Sequence, residues 1–245
     1  MNEIELPRMT GTRRAAAILG VLAAVGVLFA FWMIFFWVPT ERSMGVVQRI
    51  FYVHVPSAWI AFFAFFIVAG CSAMYLWLKD DRLDAIAVAA AELGIIFTTI
   101  VLVTGPLWGK IAWGTWWVWE PRLTLTLILW FIYVGYFMLR NATENPERGK
   151  RYAAILGIIG ALDIPLIHVS VNWFRSQHPE AVILRPDGPS ADPEIVQTLF
   201  VSLGAFTLAF LSMLLVRYVV ERQSRAVAQH RVARQSPEPS IPITT

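Results

Sequence analysis

The sequence has little cysteine and little charge, and both shortages limit what the chain can be. Its one cysteine, Cys71, lies in an apolar run, which excludes a disulfide framework, a CxxC redox pair and a thiolate metal cage. Charged residues make up only 15% of the 245 residues, against 57% hydrophobic residues, a balance that does not suit a soluble domain. The basic excess, 20 residues against 17 acidic ones, is small and forms no dense patch, so nucleic-acid binding is not expected. The composition indicates a polytopic membrane protein.

The chain also lacks the short motifs of common enzyme classes. It has no glycine-rich phosphate loop, no nucleophile elbow and no pair of catalytic carboxylates. Two acidic residues, Glu92 and Asp163, fall inside apolar stretches, and both should face the interior of a helix bundle because a charge in lipid is costly. Asp163 precedes Pro165 by two residues, which suggests a role at a kink. Two acids do not make a path, so a proton relay is unsupported. We expect a protein that is not a self-contained catalyst.

Long apolar runs predict an all-α integral membrane protein with six transmembrane helices. About 20 apolar residues are needed to cross about 30 Å of hydrocarbon. The six stretches that qualify are residues 15–38, 57–78, 85–104, 123–139, 153–171 and 196–216. They divide the chain into a short N-terminus (1–14), a six-helix domain (15–217) and a basic tail (218–245) that is expected to be disordered because it ends in a run rich in Pro, Ser and Thr.

The lysines and arginines predict how the helices are oriented. Six spans place both termini on one side, and that side carries 14 of the 20 basic residues. By the positive-inside rule, both termini are therefore cytoplasmic. The connections on the opposite side (39–56, 105–121 and 172–194) are longer and chemically richer than the cytoplasmic turns. We therefore expect the functional residues to face outward.

Five of the eleven tryptophans fall in one outer connection. They lie between residues 108 and 119, flanked by basic residues at Lys110 and Arg122: Trp108, Trp113, Trp116, Trp117 and Trp119. An indole offers a large flat apolar surface with one N–H donor, so it suits a membrane interface or a broad aromatic ligand. One or two tryptophans would be read as an interfacial belt, but five in one loop favour a ligand.

Two of the four histidines lie at the same level as this loop. His54 ends the first outer connection in the segment FYVHVPSAW, where Pro56 suits the first turn of the second span. His168 lies about 6 Å inside the outer end of the fifth span. The other two are His178, in the third outer connection, and His230, in the tail. A lone histidine near an interface is usually structural, but two beside an aromatic loop form a sharper pattern.

This combination favours haem over a bare metal ion. Two imidazoles can supply both axial ligands of a haem iron while flat indoles pack against the porphyrin. Zinc would need three or four ligands, and neither thiolates nor a cluster of histidines with carboxylates is present. The haem propionates would need cations from the outer side, and the candidates are Arg42, Arg49, Lys110, Arg122 and Arg175. These residues could equally anchor lipid headgroups.

At these residues the sequence resembles a known family. The segment WGTWWVWEPRLT is similar to the tryptophan-rich "WWD" signature of the haem-handling proteins of cytochrome c biogenesis. The six-span size and the segments FYVHVPSAW and IPLIHVSVNWFRSQHP resemble the haem exporter protein C family of the cytochrome c maturation system. The similarity covers residues 48–178 and, through the number of spans, most of the chain.

The resemblance implies a bacterial inner-membrane protein that holds haem b as non-covalent, transient cargo at the periplasmic face. His54 and His168 would be the axial ligands. The loop 106–122 would form the platform, with the binding residues Trp113, Trp116, Trp117, Trp119, Glu120 and Arg122. The implied partners are a periplasmic haem chaperone (protein E), the ATP-driven transporter subunits A and B, the small membrane protein D and membrane lipids.

One position departs from the family pattern. The family motif has Asp followed by a small residue, whereas this chain has Glu120 followed by Pro121. Glutamate keeps the charge with one more methylene, and proline removes a donor and fixes φ. Haem binding is expected to survive, and the geometry of chaperone docking is the property that the change affects.

Three other functions compete with this interpretation. A b-type electron-transfer cytochrome also uses paired histidines, but such haems usually lie between helices inside the bilayer. A transporter would favour broken helices at the midplane, of which Asp163 and Pro165 give the single hint. A cytochrome c synthase, or haem lyase, of the same wider family would generally be larger and have more spans.

Overall fold

The protein is a bundle of α-helices in the computed structural model, which describes residues 7–42, 44–173, 188 and 191–235. Seven α-helices follow one another in these residues: α1 (Thr10–Trp32), α2 (Phe51–Leu78), α3 (Asp81–Trp113), α4 (Pro121–Asn141), α5 (Pro146–Ala161), α6 (Asp163–Trp173) and α7 (Pro193–Gln235). A π-helical turn (Met33–Trp37) extends α1, and a 3-10 turn (Val46–Ile50) leads into α2.

Six helical segments are long and apolar enough to cross a membrane. Five of them are single helices, two of these with an adjoining turn. The fifth segment along the chain combines α5 with α6 across a one-residue turn at Leu162. The predicted all-α fold with six spans is therefore confirmed. Pro165 is the third residue of α6 and cannot donate to the carbonyl four residues earlier, that of Ala161, so the break between α5 and α6 at Leu162 lies where this proline disturbs the helix.

Several predicted boundaries differ from the observed ones. Helix α2 starts at Phe51, so His54 belongs to a helix rather than to a loop, and Pro56 is its sixth residue. Helix α3 continues through Pro106 to Trp113, which shortens the tryptophan loop from the predicted 106–122 to residues 114–120. Helix α7 runs to Gln235, so the prediction of a disordered tail is wrong for residues 218–235. Residues 236–245 lie outside the described part.

The centre of the bundle is formed by α2, α3, α4 and α5 around stacked aromatic rings. Phe65 and Tyr133 are fully buried, and their ring centroids lie 3.5 Å apart with nearly parallel planes. Gly94 lies against this pair, because a Cβ there would meet Phe65 at 2.4 Å. Close packing of this kind leaves no room for an added methyl group. It fixes the spacing of the helices that carry the candidate site.

Helix α1 is attached to the edge of the bundle through small residues that face α7. A Cβ on Gly20 would approach Ser212 at 3.1 Å, and a Cβ on Gly26 would approach Ala205 at 3.2 Å. The Ser212 hydroxyl donates to the carbonyl of Ala16 at 2.8 Å. Small residues let two membrane helices approach closely, and the order of these contacts makes α1 and α7 antiparallel.

The bundle therefore has two distinct ends. We call the end that holds the start of α1 and the last part of α7 the terminal end, and the opposite end, with residues 114–120, the tryptophan end. At the terminal end, buried Asp84 accepts from Arg140 at 2.8 Å and lies 2.7 Å from the guanidinium of Arg225. These ion pairs join α3, α4 and α7.

The two acidic residues predicted to face the bundle interior, Glu92 and Asp163, differ in their surroundings. Glu92 is paired with Arg217 of α7, with an Nη2 to Oε1 distance of 2.7 Å, so α3 and α7 are joined a second time. Asp163 is only 7% exposed at the start of α6, and its Oδ2 has no hydrogen-bond partner in the described part of the chain. Glu92 therefore has a structural role as one half of an ion pair.

Candidate functional site

The fold brings the predicted site residues to the tryptophan end. His54 is the fourth residue of α2, and His168 lies five residues before the end of α6. The loop 114–120 joins the end of α3 to the start of α4. Because α2 and α4 start at this end while α3 and α6 finish there, residues from four helices and one loop lie at the same end of the bundle.

His54 is held against α3 by two neighbours that the sequence did not connect with it. Its Nδ1 lies 2.8 Å from the Thr104 hydroxyl oxygen. Its ring also meets the indole of Trp108 edge to face, with centroids 5.8 Å apart. The two α3 residues are one helical turn apart, so they present one face to the imidazole. The half-buried ring of His54 is therefore fixed in orientation before any ligand binds.

Trp108 connects His54 to the first outer connection. Its Nε1 donates to the sulfur of Met44 at 3.1 Å, and its ring meets Phe51 edge to face at a centroid distance of 6.0 Å. The backbone N–H of Met44 in turn donates to Glu41. The connection before α2 therefore packs against Trp108. Trp108 is a structural support, which explains why it is only half-exposed.

The tryptophan loop exposes large aromatic surfaces. It begins at Gly114, whose φ of +77° ends α3 in a conformation that favours glycine. The side chains of Trp116 and Trp119 are 56% and 76% exposed. Trp117 meets Trp119 edge to face at 5.7 Å, and its own indole N–H is buried without a partner in the described residues. The loop thus presents two exposed rings, next to an indole whose N–H is buried.

A small crevice separates this loop from the last turns of α3. It is lined by two glycines, three tryptophans and three other side chains: Gly105, Gly109, Trp113, Thr115, Trp116, Trp117, Val118 and Leu123. Trp113 belongs to α3 and packs over Gly109, where a Cβ would meet its ring at 3.1 Å. The crevice is too narrow for a macrocycle, so a large flat ligand would lie on the exposed rings.

Two basic residues lie beside the loop. The Lys110 ammonium donates to the Gly114 carbonyl at 3.0 Å and lies 5.9 Å from the centre of the Trp116 ring. Arg122 is half-buried in the first turn of α4. Of the other predicted cations, Arg49 lies 5.4 Å from the Phe35 ring and Arg42 is exposed, whereas Arg175 lies outside the described residues together with His178.

The Glu120–Pro121 pair forms the start of α4. Pro121 is the first residue of that helix, a position that proline favours because its missing N–H has no helical partner. Glu120 precedes it as the capping residue, and its carbonyl accepts from the N–H of Thr124 at 3.0 Å. Its side chain is only 8% exposed. The departure from the family pattern therefore fits the helix start without strain.

His168 has different surroundings from His54. Its side chain is exposed on α6, a helix that packs mainly against α4. It makes no hydrogen bond, ion pair or ring contact with another described residue, and the described contacts do not join it to His54 or to the loop. One imidazole is therefore anchored, and the other is placed at the same end of the bundle without an anchor.

Sequence reasoning missed Thr104 and Met44 as neighbours of the site. Both contacts span long distances along the chain, 50 residues from His54 to Thr104 and 64 from Met44 to Trp108. The available signal was weak: Thr104 is a polar residue at the outer end of an otherwise apolar run. No group of three or more histidine, cysteine or acidic residues that could hold a metal ion occurs in the part of the chain that the structure describes.

Comparison with known proteins identifies the family of the chain. A family model described as Heme exporter protein C matches residues 7–233. A Heme exporter protein C of Bradyrhizobium diazoefficiens is 35% identical over 201 residues, covering 81% of this chain and 76% of the relative. Those of Haemophilus influenzae and Escherichia coli are each 38% identical, covering 82% and 80% of this chain and 80% and 79% of the relatives. The chain therefore belongs to the Heme exporter protein C family.

Proposed function

We propose that this protein binds haem b at the tryptophan end and delivers it to the periplasmic chaperone, protein E, during biogenesis of c-type cytochromes. The name of the relatives supports the first part, since they are components of haem export. The observation that supports the proposal is the presence, at one end of the bundle, of a fixed histidine, an exposed histidine and exposed indole rings.

Each part of the site has a distinct task in this proposal. His54 and His168 ligate the iron from its two faces, and the exposed rings of Trp116 and Trp119 pack against the porphyrin. Lys110 and Arg122 lie beside the loop, where they neutralise the propionates. Haem is cargo here rather than a resident cofactor, so binding must be reversible. A site whose aromatic rings are exposed fits that requirement.

The proposed setting follows from the positive-inside rule and from the family. The tryptophan end faces the periplasm of a bacterial inner membrane, where protein E captures the haem covalently. Subunits A and B, an ATP-driven transporter pair, and the small membrane protein D complete the assembly. The protein presents haem and does not by itself catalyse its attachment to a cytochrome.

The direct test of delivery is the covalent haem content of protein E. Protein E is produced together with this protein or with its His54→Ala or His168→Ala variant, and covalent haem is measured on denaturing gels by peroxidase staining. We expect covalent haem with the wild type and a loss of at least about tenfold with either variant, the effect expected for removing a metal ligand or its support. A His230→Ala variant, changed in the last turns of α7, is the matched control and should retain the wild-type level.

Unchanged loading of protein E by both site variants would contradict the proposal. Equal membrane levels of all variants, checked by immunoblotting, exclude loss of the protein as the cause of a deficit.

A further inference from the structure

The hydroxyl of Thr104 has two close hydrogen-bond partners besides a longer contact of 3.4 Å to the carbonyl of Val101. Its hydroxyl oxygen lies 2.7 Å from the carbonyl of Ile100, one turn earlier in α3, and 2.8 Å from Nδ1 of His54. A carbonyl oxygen can only accept, so a contact of 2.7 Å requires the hydroxyl proton to point at Ile100. The same oxygen then has only lone pairs left for His54.

This assignment determines which nitrogen of His54 carries the proton. Because Thr104 accepts, the Nδ1 of His54 must donate, so the neutral ring has its proton on Nδ1. The lone pair of the neutral ring is then on Nε2, the nitrogen on the other side of Cε1. An imidazole binds a metal through an unprotonated nitrogen, and the hydrogen bond of the other nitrogen decides which one that is.

The surroundings of the ring reinforce this orientation. A Cβ built on Gly105 would lie 3.4 Å from Cε1 of His54, so the ring approaches the helix beside Thr104 as closely as an ordinary contact allows. Trp108 meets the ring on the next turn. Rotation of the imidazole to exchange its nitrogens would break the hydrogen bond to Thr104 inside a half-buried contact. A single tautomer and a single ring position are therefore favoured.

We infer that Thr104 is a positioning residue that holds His54 with its proton on Nδ1, so that Nε2 is the nitrogen presented to the iron of the bound haem. The inference rests on the proposed haem site for its last step. Its first step, the tautomer, is a property of the protein without haem. A hydrogen bond from Nδ1–H also makes Nε2 a better electron donor, which strengthens its bond to ferric iron.

The test compares Thr104→Val, which keeps the shape and removes the acceptor, with Thr104→Ser, which keeps the hydroxyl. The matched control is Thr98→Val, because Thr98 makes the same bond to its preceding turn, 2.7 Å from the Gly94 carbonyl, without a histidine partner. The first readout is nitrogen-15 NMR of labelled histidine in the purified haem-free protein at a pH where the ring is neutral. The His54 signals are assigned from their loss in a His54→Gln variant.

We expect Nδ1 of His54 to be protonated in the wild type, in Thr104→Ser and in Thr98→Val. In Thr104→Val, the proton should move to Nε2 in a major fraction of the molecules. The second readout is haem affinity by titration, which should fall by about tenfold in Thr104→Val, at the lower end of the effect of losing a support of a metal-binding histidine.

Two results would overturn the inference: a wild-type His54 protonated on Nε2, or a Thr104→Val variant with an unchanged tautomer. A wild type with the expected tautomer that binds no haem would instead contradict the proposed function, and the assignment of the Nδ1 proton would stand. An unchanged haem affinity in Thr104→Val with a moved proton would also overturn the inference, because Thr104 would then not position the ligand.

Discussion

The two ends of the bundle differ in how completely their side chains satisfy one another. At the terminal end, the buried carboxylate of Asp84 has two arginine partners, and the ammonium of Lys150 lies 2.6 Å from Asp81 and 2.7 Å from Glu147. At the tryptophan end, two large indoles are mostly exposed and the buried N–H of Trp117 has no partner in the described residues. The terminal end is held together by buried ion pairs between helices, whereas the tryptophan end carries exposed indole rings clustered in one loop.

This difference has an energetic meaning. Removing one partner of a buried ion pair leaves an uncompensated charge, whereas removing an exposed side chain usually costs little. The ion pairs of the terminal end join α3, α4, α5 and α7, the helices that must stay in place while the opposite end binds and releases a ligand. The terminal end therefore maintains the fold, and the tryptophan end carries the proposed binding site.

The largest expected effect on stability is that of Asp84→Ala at the terminal end. The change removes a carboxylate that is 2% exposed and leaves Arg140 and Arg225 without their shared partner in a buried position. Breaking a buried ion pair from one side costs about 3 to 5 kcal/mol. The midpoint of unfolding in detergent, followed by loss of tertiary structure on heating, should fall markedly.

The control for Asp84→Ala is Glu144→Ala, which removes an exposed acidic residue at the same end of the bundle. Its effect should stay within about 0.5 kcal/mol, as for most surface substitutions. Equal midpoints for the two variants would show that the ion pairs of the terminal end do not hold the helices together.

A much smaller effect on stability is expected for Trp119→Ala at the tryptophan end. This side chain is 76% exposed, so its removal should change the free energy of unfolding by no more than about 0.5 kcal/mol. Haem bound per protein, measured by the pyridine haemochrome method, should nevertheless fall. The matched control is Trp77→Ala, since Trp77 is 83% exposed on α2 near the opposite end.

If haem content fell equally in Trp77→Ala and Trp119→Ala, the distinction between the two ends would fail. If Trp119→Ala destabilised the protein as much as Asp84→Ala, the loop would be part of the folded core rather than a surface for a ligand.

The parts of the fold that depend on local sequence were predictable. Six apolar runs of membrane-spanning length are a property of the chain itself, so all six spans were predicted. The end of α3 was predicted less well, because the predicted apolar run ends at residue 104 whereas the helix continues through Pro106 to Trp113. The length of α7 was missed for a similar reason, since a polar composition does not distinguish a solvated helix from a disordered tail.

The site was predictable in its residue types and not in its contacts. Histidines and clustered tryptophans stand out in an apolar sequence, and the order of the spans places them at one end. The hydrogen bond from His54 to Thr104 and the ion pair between Glu92 and Arg217 each join distant helices. Periodicity and composition do not tell which residues of two distant helices lie side by side, so these partners could be found only in the folded chain.

The measurement that tests the central claim most directly is the visible absorption spectrum of the purified haem-loaded protein, compared with its His54→Ala and His168→Ala variants. We predict a six-coordinate low-spin ferric spectrum for the wild type and a high-spin spectrum, or loss of haem, for each variant at an unchanged unfolding midpoint. A low-spin spectrum retained in both variants would contradict the claim that these two histidines hold haem at the tryptophan end.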